Sequence, residues 1–135
     1  MMGYIGQEPA QVAIAASDIA DDLITSAKLN YSEATLTDGS SITWNAETQD
    51  VAKVTLAGNR TIGAASSATT GQFISLLVIQ DGTGSRTLTW NAAYEFASDT
   101  APTLTTTANL GDLFVFRYNG SKWLEVGRNQ ALTLS

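Results

Sequence analysis

The chain reads as a mainly β protein: an antiparallel β-sandwich or jelly-roll-like head behind an extended, partly helical N-terminal arm. Three observations lead there. Serine and threonine crowd residues 35–135, with glycine and asparagine as punctuation. Residues 51–57 alternate, with Ala52, Val54 and Leu56 on one face and Lys53 and Thr55 on the other. Asn119-Gly120 separates two apolar runs, 113–118 and 121–126, which is a strong hairpin signal. A chain of 135 residues makes one domain, or one domain with an appendage, and can bury a core without disulfides.

The arm comes first. Residues 1–34 contain Pro9, an alanine-rich stretch, several acids and only small, scattered apolar residues. Ser17 or Asp18 can cap a short helix, with Ile19, Leu23 and Ala27 at fourfold spacing. Such a helix is marginal alone and needs a surface to pack against. The arm is therefore expected to gain order on other copies of the chain or on another protein. The charge agrees: residues 1–50 hold one cation, Lys28, against eight acids, a net −7, whereas residues 51–135 hold six cations and five acids, a net +1.

The head, residues 35–135, follows element by element. After the alternating strand at 51–57, Gly58-Asn59 marks a turn before Arg60-Thr61-Ile62. Residues 73–79 are apolar on both faces: Phe73, Leu77 and Ile79 on one, Ile74, Leu76 and Val78 on the other. A strand of that kind is covered on both sides. One cover is the domain's own core, and the other is expected to be a subunit interface. Asp81-Gly82-Thr83-Gly84-Ser85 is a glycine-rich turn into a strand at 86–90. In the last hairpin a two-residue Asn119-Gly120 turn sets Phe116 against Trp123, Val115 against Leu124 and Leu113 against Val126. It also sets Arg117 against Lys122, an unfavourable pair. Thr43-Trp44-Asn45-Ala46 recurs as Thr89-Trp90-Asn91-Ala92. Two copies are too few for a solenoid and suit equivalent strand ends of a sandwich.

Composition excludes much chemistry. The chain has no cysteine and no histidine, which removes disulfides, thiolate and imidazole metal ligands, and Ser-His-Asp triads. A net charge of −6 without a basic stripe argues against nucleic-acid and membrane-surface roles. The N-terminus lacks a secretion signal, and the longest apolar run is too short to span a bilayer as a helix. A soluble protein made in a cytoplasm is expected, with no cofactor and no metal. Carboxylates remain the only acid–base groups. Glu47 and Glu95 each follow a Trp-Asn-Ala element, and Asp99 and Asp112 are further candidates for a glycosidase-like pair. All four read better as surface acids. Asp18, Asp21 and Asp22 read as helix-start acids rather than a calcium site. Asp81-Gly82-Thr83-Gly84 lacks the lysine and the following helix of a phosphate loop. Trp123 is assigned to the core. Trp44 and Trp90, at strand ends beside loops, stand either as core or as contacts for a glycan.

Four motifs together resemble a β-rich module of tailed-bacteriophage virion proteins, of the tail fibre and minor structural type. They are the run from Val54 to Ile62, the run from Val78 to Trp90, Ala101-Pro102-Thr103-Leu104, and the segment from Asp112 through Lys122-Trp123. The front end, Tyr4-Ile5-Gly6 with Ser17-Asp18-Ile19-Ala20 and Ile24-Thr25-Ser26-Ala27-Lys28-Leu29, is similar to virion-attachment segments. The resemblance implies a non-enzymatic homotrimer on the virion surface. Its arm, with Tyr4, Ile5, Gly6, Pro9, Ile19, Leu23, Ile24 and Leu29, would dock to the major capsid protein or another virion protein. Phe73, Ile74, Leu76, Leu77, Val78 and Ile79 are the candidate trimer interface. No shaft repeats separate arm from head, which favours a capsid decoration (cement) protein on the capsid exterior. The alternative is a short tail or head fibre that binds host-surface glycans.

Overall fold

The structure is a computed structural model and describes Ser32–Ser135 as one unit. The eight arm residues named above, and Asp18, Asp21 and Asp22, lie outside the described residues. Among the described residues nine strands follow one another: β1 (Ala34–Thr35), β2 (Ser41–Ile42), β3 (Val51–Leu56), β4 (Arg60–Ile62), β5 (Phe73–Gln80), β6 (Leu88–Trp90), β7 (Tyr94–Glu95), β8 (Leu110–Tyr118) and β9 (Trp123–Thr133). The strand β1 straddles the boundary expected between residues 34 and 35. A short 3-10 turn, Ala97–Asp99, lies between β7 and β8.

The protein is mainly β, but its sheets are not those of an antiparallel sandwich or jelly roll. One sheet has the order β1-β3-β5-β8-β9-β7 and the other β2-β4-β6. From β1 to β6 the chain alternates between them. It therefore enters each sheet in the same direction at every pass, and β1, β3 and β5 pair in parallel, as do β2, β4 and β6. Among the described strands only β5 with β8 and β8 with β9 are antiparallel. Alternation of side chains looks the same in both arrangements, so periodicity could not separate them.

The stacked passes differ in length. Ala34, Ala52 and Leu76 lie side by side, and so do Ile42, Ile62 and Trp90. Unequal spacing hides the repeat from any search for a fixed period. It also corrects the Trp-Asn-Ala echo: Trp90 sits in line with Ile42 and Ile62, not with Trp44.

The core is one cluster to which both sheets contribute. The strand β3 buries Ala52, Val54 and Leu56, and β5 buries Ile74, Leu76 and Val78. Ile42 and Ile62 come from the second sheet, and Phe114, Phe116 and Trp123 from the last hairpin. Trp90 packs edge-on against Tyr94, Phe96 and Phe114, with ring centroids 5.3, 5.4 and 5.1 Å away.

Side chains hold the corners of the passes together. The Arg60 guanidinium reaches Asp38 Oδ1 at 2.8 Å and Oδ2 at 2.7 Å, joining the first pass to the second. Asn59 Oδ1 accepts the Thr87 N–H at 3.1 Å, joining the second to the third. The buried Gln80 amide accepts from Arg86 N at 2.8 Å and donates to Arg86 O at 2.9 Å, closing the turn at 81–85. Inside that turn Asp81 accepts from Arg86 Nη2 at 2.8 Å, Gly84 N at 2.9 Å and Thr83 N at 3.1 Å. The Arg86 guanidinium, then the Gly84 amide, hold the Asp81 carboxyl down at about 2. The Arg60 guanidinium likewise holds Asp38 below the usual carboxylate range. Gly84 has φ +75°, and a Cβ there would lie 2.5 Å from Thr106 O, so the backbone packing admits only glycine.

The last hairpin turns one residue later than Asn119-Gly120 suggests. Asn119 N–H donates to Lys122 O at 3.1 Å, which leaves Gly120 and Ser121 as the central pair. Gly120, at φ +98°, suits the first central position of a type II′ turn. The Asn119 side chain accepts from Ser121 N and Lys122 N at 2.9 and 2.7 Å. Partners shift by two, so Trp123 faces Tyr118, Phe116 faces Glu125 and Arg117 faces Leu124. A bulge before Phe116 then places Val115 against Gly127 and Leu113 against Asn129. The unfavourable Arg117–Lys122 pair does not form. Lys122 instead meets Glu95 at 2.9 Å, which raises the lysine's pKa.

A second irregularity surrounds Asp112, a buried carboxylate in a bulged stretch of β8. It accepts from Thr105 N at 2.7 Å, Ala131 N at 2.9 Å and Gln130 Nε2 at 3.2 Å. It thereby ties the segment before β8 to the far end of β9, where Ala131 has φ 57°.

Two predictions follow from these contacts. Asp112→Ala strands two backbone donors and should destabilise the fold by about 2–4 kcal/mol in urea titrations. Asp81 has a folded pKa below its ordinary value of 3.8. Its contribution is complete above that value and is lost as pH falls through about 2. Asp81→Asn should therefore flatten the acid limb of the stability–pH curve between those two values, with no change in its slope near neutrality.

Candidate binding surface

The site candidates from the sequence separate into two groups in space. Ile74, Leu76 and Val78 belong to the protein's own core, at 2, 0 and 2 % exposure, and cannot form a subunit interface. Phe73, Leu77 and Ile79 occupy the opposite, outer face of the six-stranded sheet. The pleat divides the expected interface between a core and a surface.

The tryptophans are corrected as glycan contacts. Trp44 is buried, and its Nε1 donates to Gln49 O at 2.7 Å. Trp90 is half-buried within the aromatic cluster of Tyr94, Phe96, Phe114 and Phe116. Stacking on a sugar needs an open ring face, and these rings are packed against protein. Beside Trp44 lies a polar groove of about 340 Å³, with Thr37, Thr43, Asn45, Thr48 and Gln49 on its walls.

The carboxylates do not assemble into a pair. Glu95 is engaged by Lys122, Asp112 by backbone amides, and Glu47 is an exposed loop residue whose N–H donates to Asn45. The amides of Thr83 and Gly84, which a phosphate would need, are taken by Asp81 itself. Among the described residues no three acidic, histidine or cysteine side chains converge as a metal cluster. Burial pushes the Tyr94 phenol pKa up, and its hydroxyl donates to Gly63 O at 2.9 Å as a structural contact.

What remains is the outer face of the large sheet. Val51, Lys53 and Thr55 of β3 lie on it beside Ser75, Leu77 and Ile79 of β5. Leu113, Val115 and Arg117 of β8 come next, opposite Leu77, Ser75 and Phe73. Val126 and Gly127 of β9 follow, and Leu134 reaches back over Gly111 to the neighbourhood of Leu77. Among the described residues, the exposed large hydrophobics are Val51 at 38 %, Phe73 at 56 %, Val126 at 58 % and Leu134 at 42 %. All four lie on this face. This gathering of exposed apolar side chains on one side of a small domain makes the face a candidate docking surface.

The face has relief. Leu113, Val115, Val126, Gly127, Arg128 and Asn129 enclose a shallow groove of about 280 Å³. It exists because Gly127, opposite Val115, has no side chain, and a Cβ added there meets nothing within 4 Å. The sequence pointed to Phe73, Leu77 and Ile79 among its interface candidates but read Leu113, Val115 and Val126 only as cross-strand partners of the last hairpin. One signal was available: β8, like β5, is apolar on both faces, with Phe114 and Phe116 inward and Leu113 and Val115 outward.

Compared with known protein families, residues 35–123 match the one described as "Putative phage tail fibre C-terminal domain". The matched segment is about two thirds of the chain and runs from the end of β1 to the start of β9. No curated protein matches the chain. A match over this much of the β unit is sufficient to say that the chain belongs to the phage tail fibre C-terminal domain family, a β-rich structural module of the phage virion.

Proposed function

We propose that this chain works without catalysis as an end domain of a tail fibre, associating with further copies of itself as a homotrimer and held to the virion through residues 1–34. The family match carries the tail assignment. The apolar outer face supports self-association, since a sheet face this apolar is unfavourable in water unless something covers it. Threefold association multiplies weak contacts through effective concentration. The carboxylates of Glu95 and Asp112, engaged by Lys122 and by backbone amides, support a structural role over hydrolysis. In this reading the arm binds another virion protein, and the head points outward.

Placement on the particle tests the assignment. Antibody fragments raised against the head should label intact particles at the tail fibres in negative-stain images. Labelling at many icosahedral positions would overturn the tail reading and identify a capsid decoration protein. A host-surface glycan is a second reading, favoured by the hydroxyl- and amide-lined groove beside Thr43 and Asn45. It does not use Trp90. Trp90→Ala should cost about 3–5 kcal/mol of stability as a core truncation, measured by urea denaturation, while the folded fraction keeps whatever cell binding the wild type shows.

A further inference from the structure

The outer face carries two complementary features on the same chain. Phe73 projects from β5 with 56 % of its surface exposed. The groove over Leu113 and Val115 is open because Gly127 lacks a side chain. Phe73 pairs with Arg117 on β8, whereas the groove is centred on Val115 and Gly127, so knob and groove lie at different places on the face. One molecule cannot insert its own Phe73 into its own groove.

We infer that copies of this chain meet through this face, with Phe73 of one copy seated in the Leu113–Val115 groove of the next. The inference rests on the self-association proposed above and locates it. Two observations favour a second copy as the occupant. Both halves of the contact are present on one chain. A heterologous contact of this kind closes into a ring where its rotation permits, and a ring would bury the face on every member. Arg117, beside Phe73, is the one cation among the described residues outside an ion pair, while each copy carries a net charge of −6. An acidic partner complements that cation. Val126 and Gly127, which shape the groove, lie beyond the residues matched to the family.

Two substitutions at exposed positions test the contact from opposite sides. Gly127→Val fills the groove. A Cβ there meets nothing within 4 Å, and Gly127 is outside the left-handed region, so the backbone accepts a side chain at this position. Phe73→Glu removes the knob. The readout is the mass of the full-length protein by analytical ultracentrifugation, with thermal melting as the control for folding. The wild type should sediment as a trimer, and each variant should fall about threefold in mass with its melting transition retained. Mixing the two variants should restore a one-to-one complex, because the first keeps Phe73 and the second keeps an open groove. Variants that stay at the wild-type mass, or that fail to combine when mixed, would overturn the knob-and-groove contact while leaving self-association standing. A monomeric wild type would overturn both.

Discussion

Parallel passes of unequal length can stack only if something other than chain length keeps them in register. Here that role falls to the corners. The Arg60–Asp38 fork, the Asn59–Thr87 contact and the Gln80–Arg86 pairing each fix one pass against another or close a turn between sheets. Asp81 binds the amides of its own turn, and Gly84 lets the backbone of residues 106–108 approach closely. With the corners set, Ile42, Ile62 and Trp90 fall in one line, and the core cluster forms between the sheets. Surface ion pairs contribute little on average. Their value at these corners is to exclude other registers, because a one-residue slip would turn every buried side chain outward.

The last third of the domain solves a different problem. An open stack of parallel strands ends in an unpaired edge. The strand β8 covers the edge of β5 in antiparallel sense and brings Phe114 and Phe116 onto the core. The strand β9 follows and bulges, and the Asp112 carboxylate satisfies the amides of Thr105 and Ala131 where regular pairing is interrupted. A separate bulge, before Phe116, aligns Gly127 with Val115 and leaves the groove on the outer face.

Much of the candidate surface was legible in the residues themselves. A strand apolar on both faces announces two covers, and residues 73–79 did so. The division between Ile74, Leu76 and Val78 inside and Phe73, Leu77 and Ile79 outside required knowing which face met the rest of the chain. Val126 and Gly127 could not be read as a groove, because their partner depends on a turn that slipped by one residue and a bulge that added another. Trp44 and Trp90, at strand ends beside loops, read from sequence as either core or glycan contacts. Trp44 is buried, and Trp90 is half-buried with Phe96 and Phe114 reaching it from the last third of the chain.

Composition and period by themselves determined the β character, the alternating faces of β3 and β5 and the absence of histidine or cysteine chemistry. Each of these is a local property, read over a few residues. Only the tertiary structure decided that the passes run parallel, that Arg60 answers an aspartate 22 residues earlier, and that the exposed apolar side chains gather on one side. A strand shows its own two faces in sequence. Its neighbours, and their direction, are chosen by how distant segments stack, and that choice leaves the alternation unchanged.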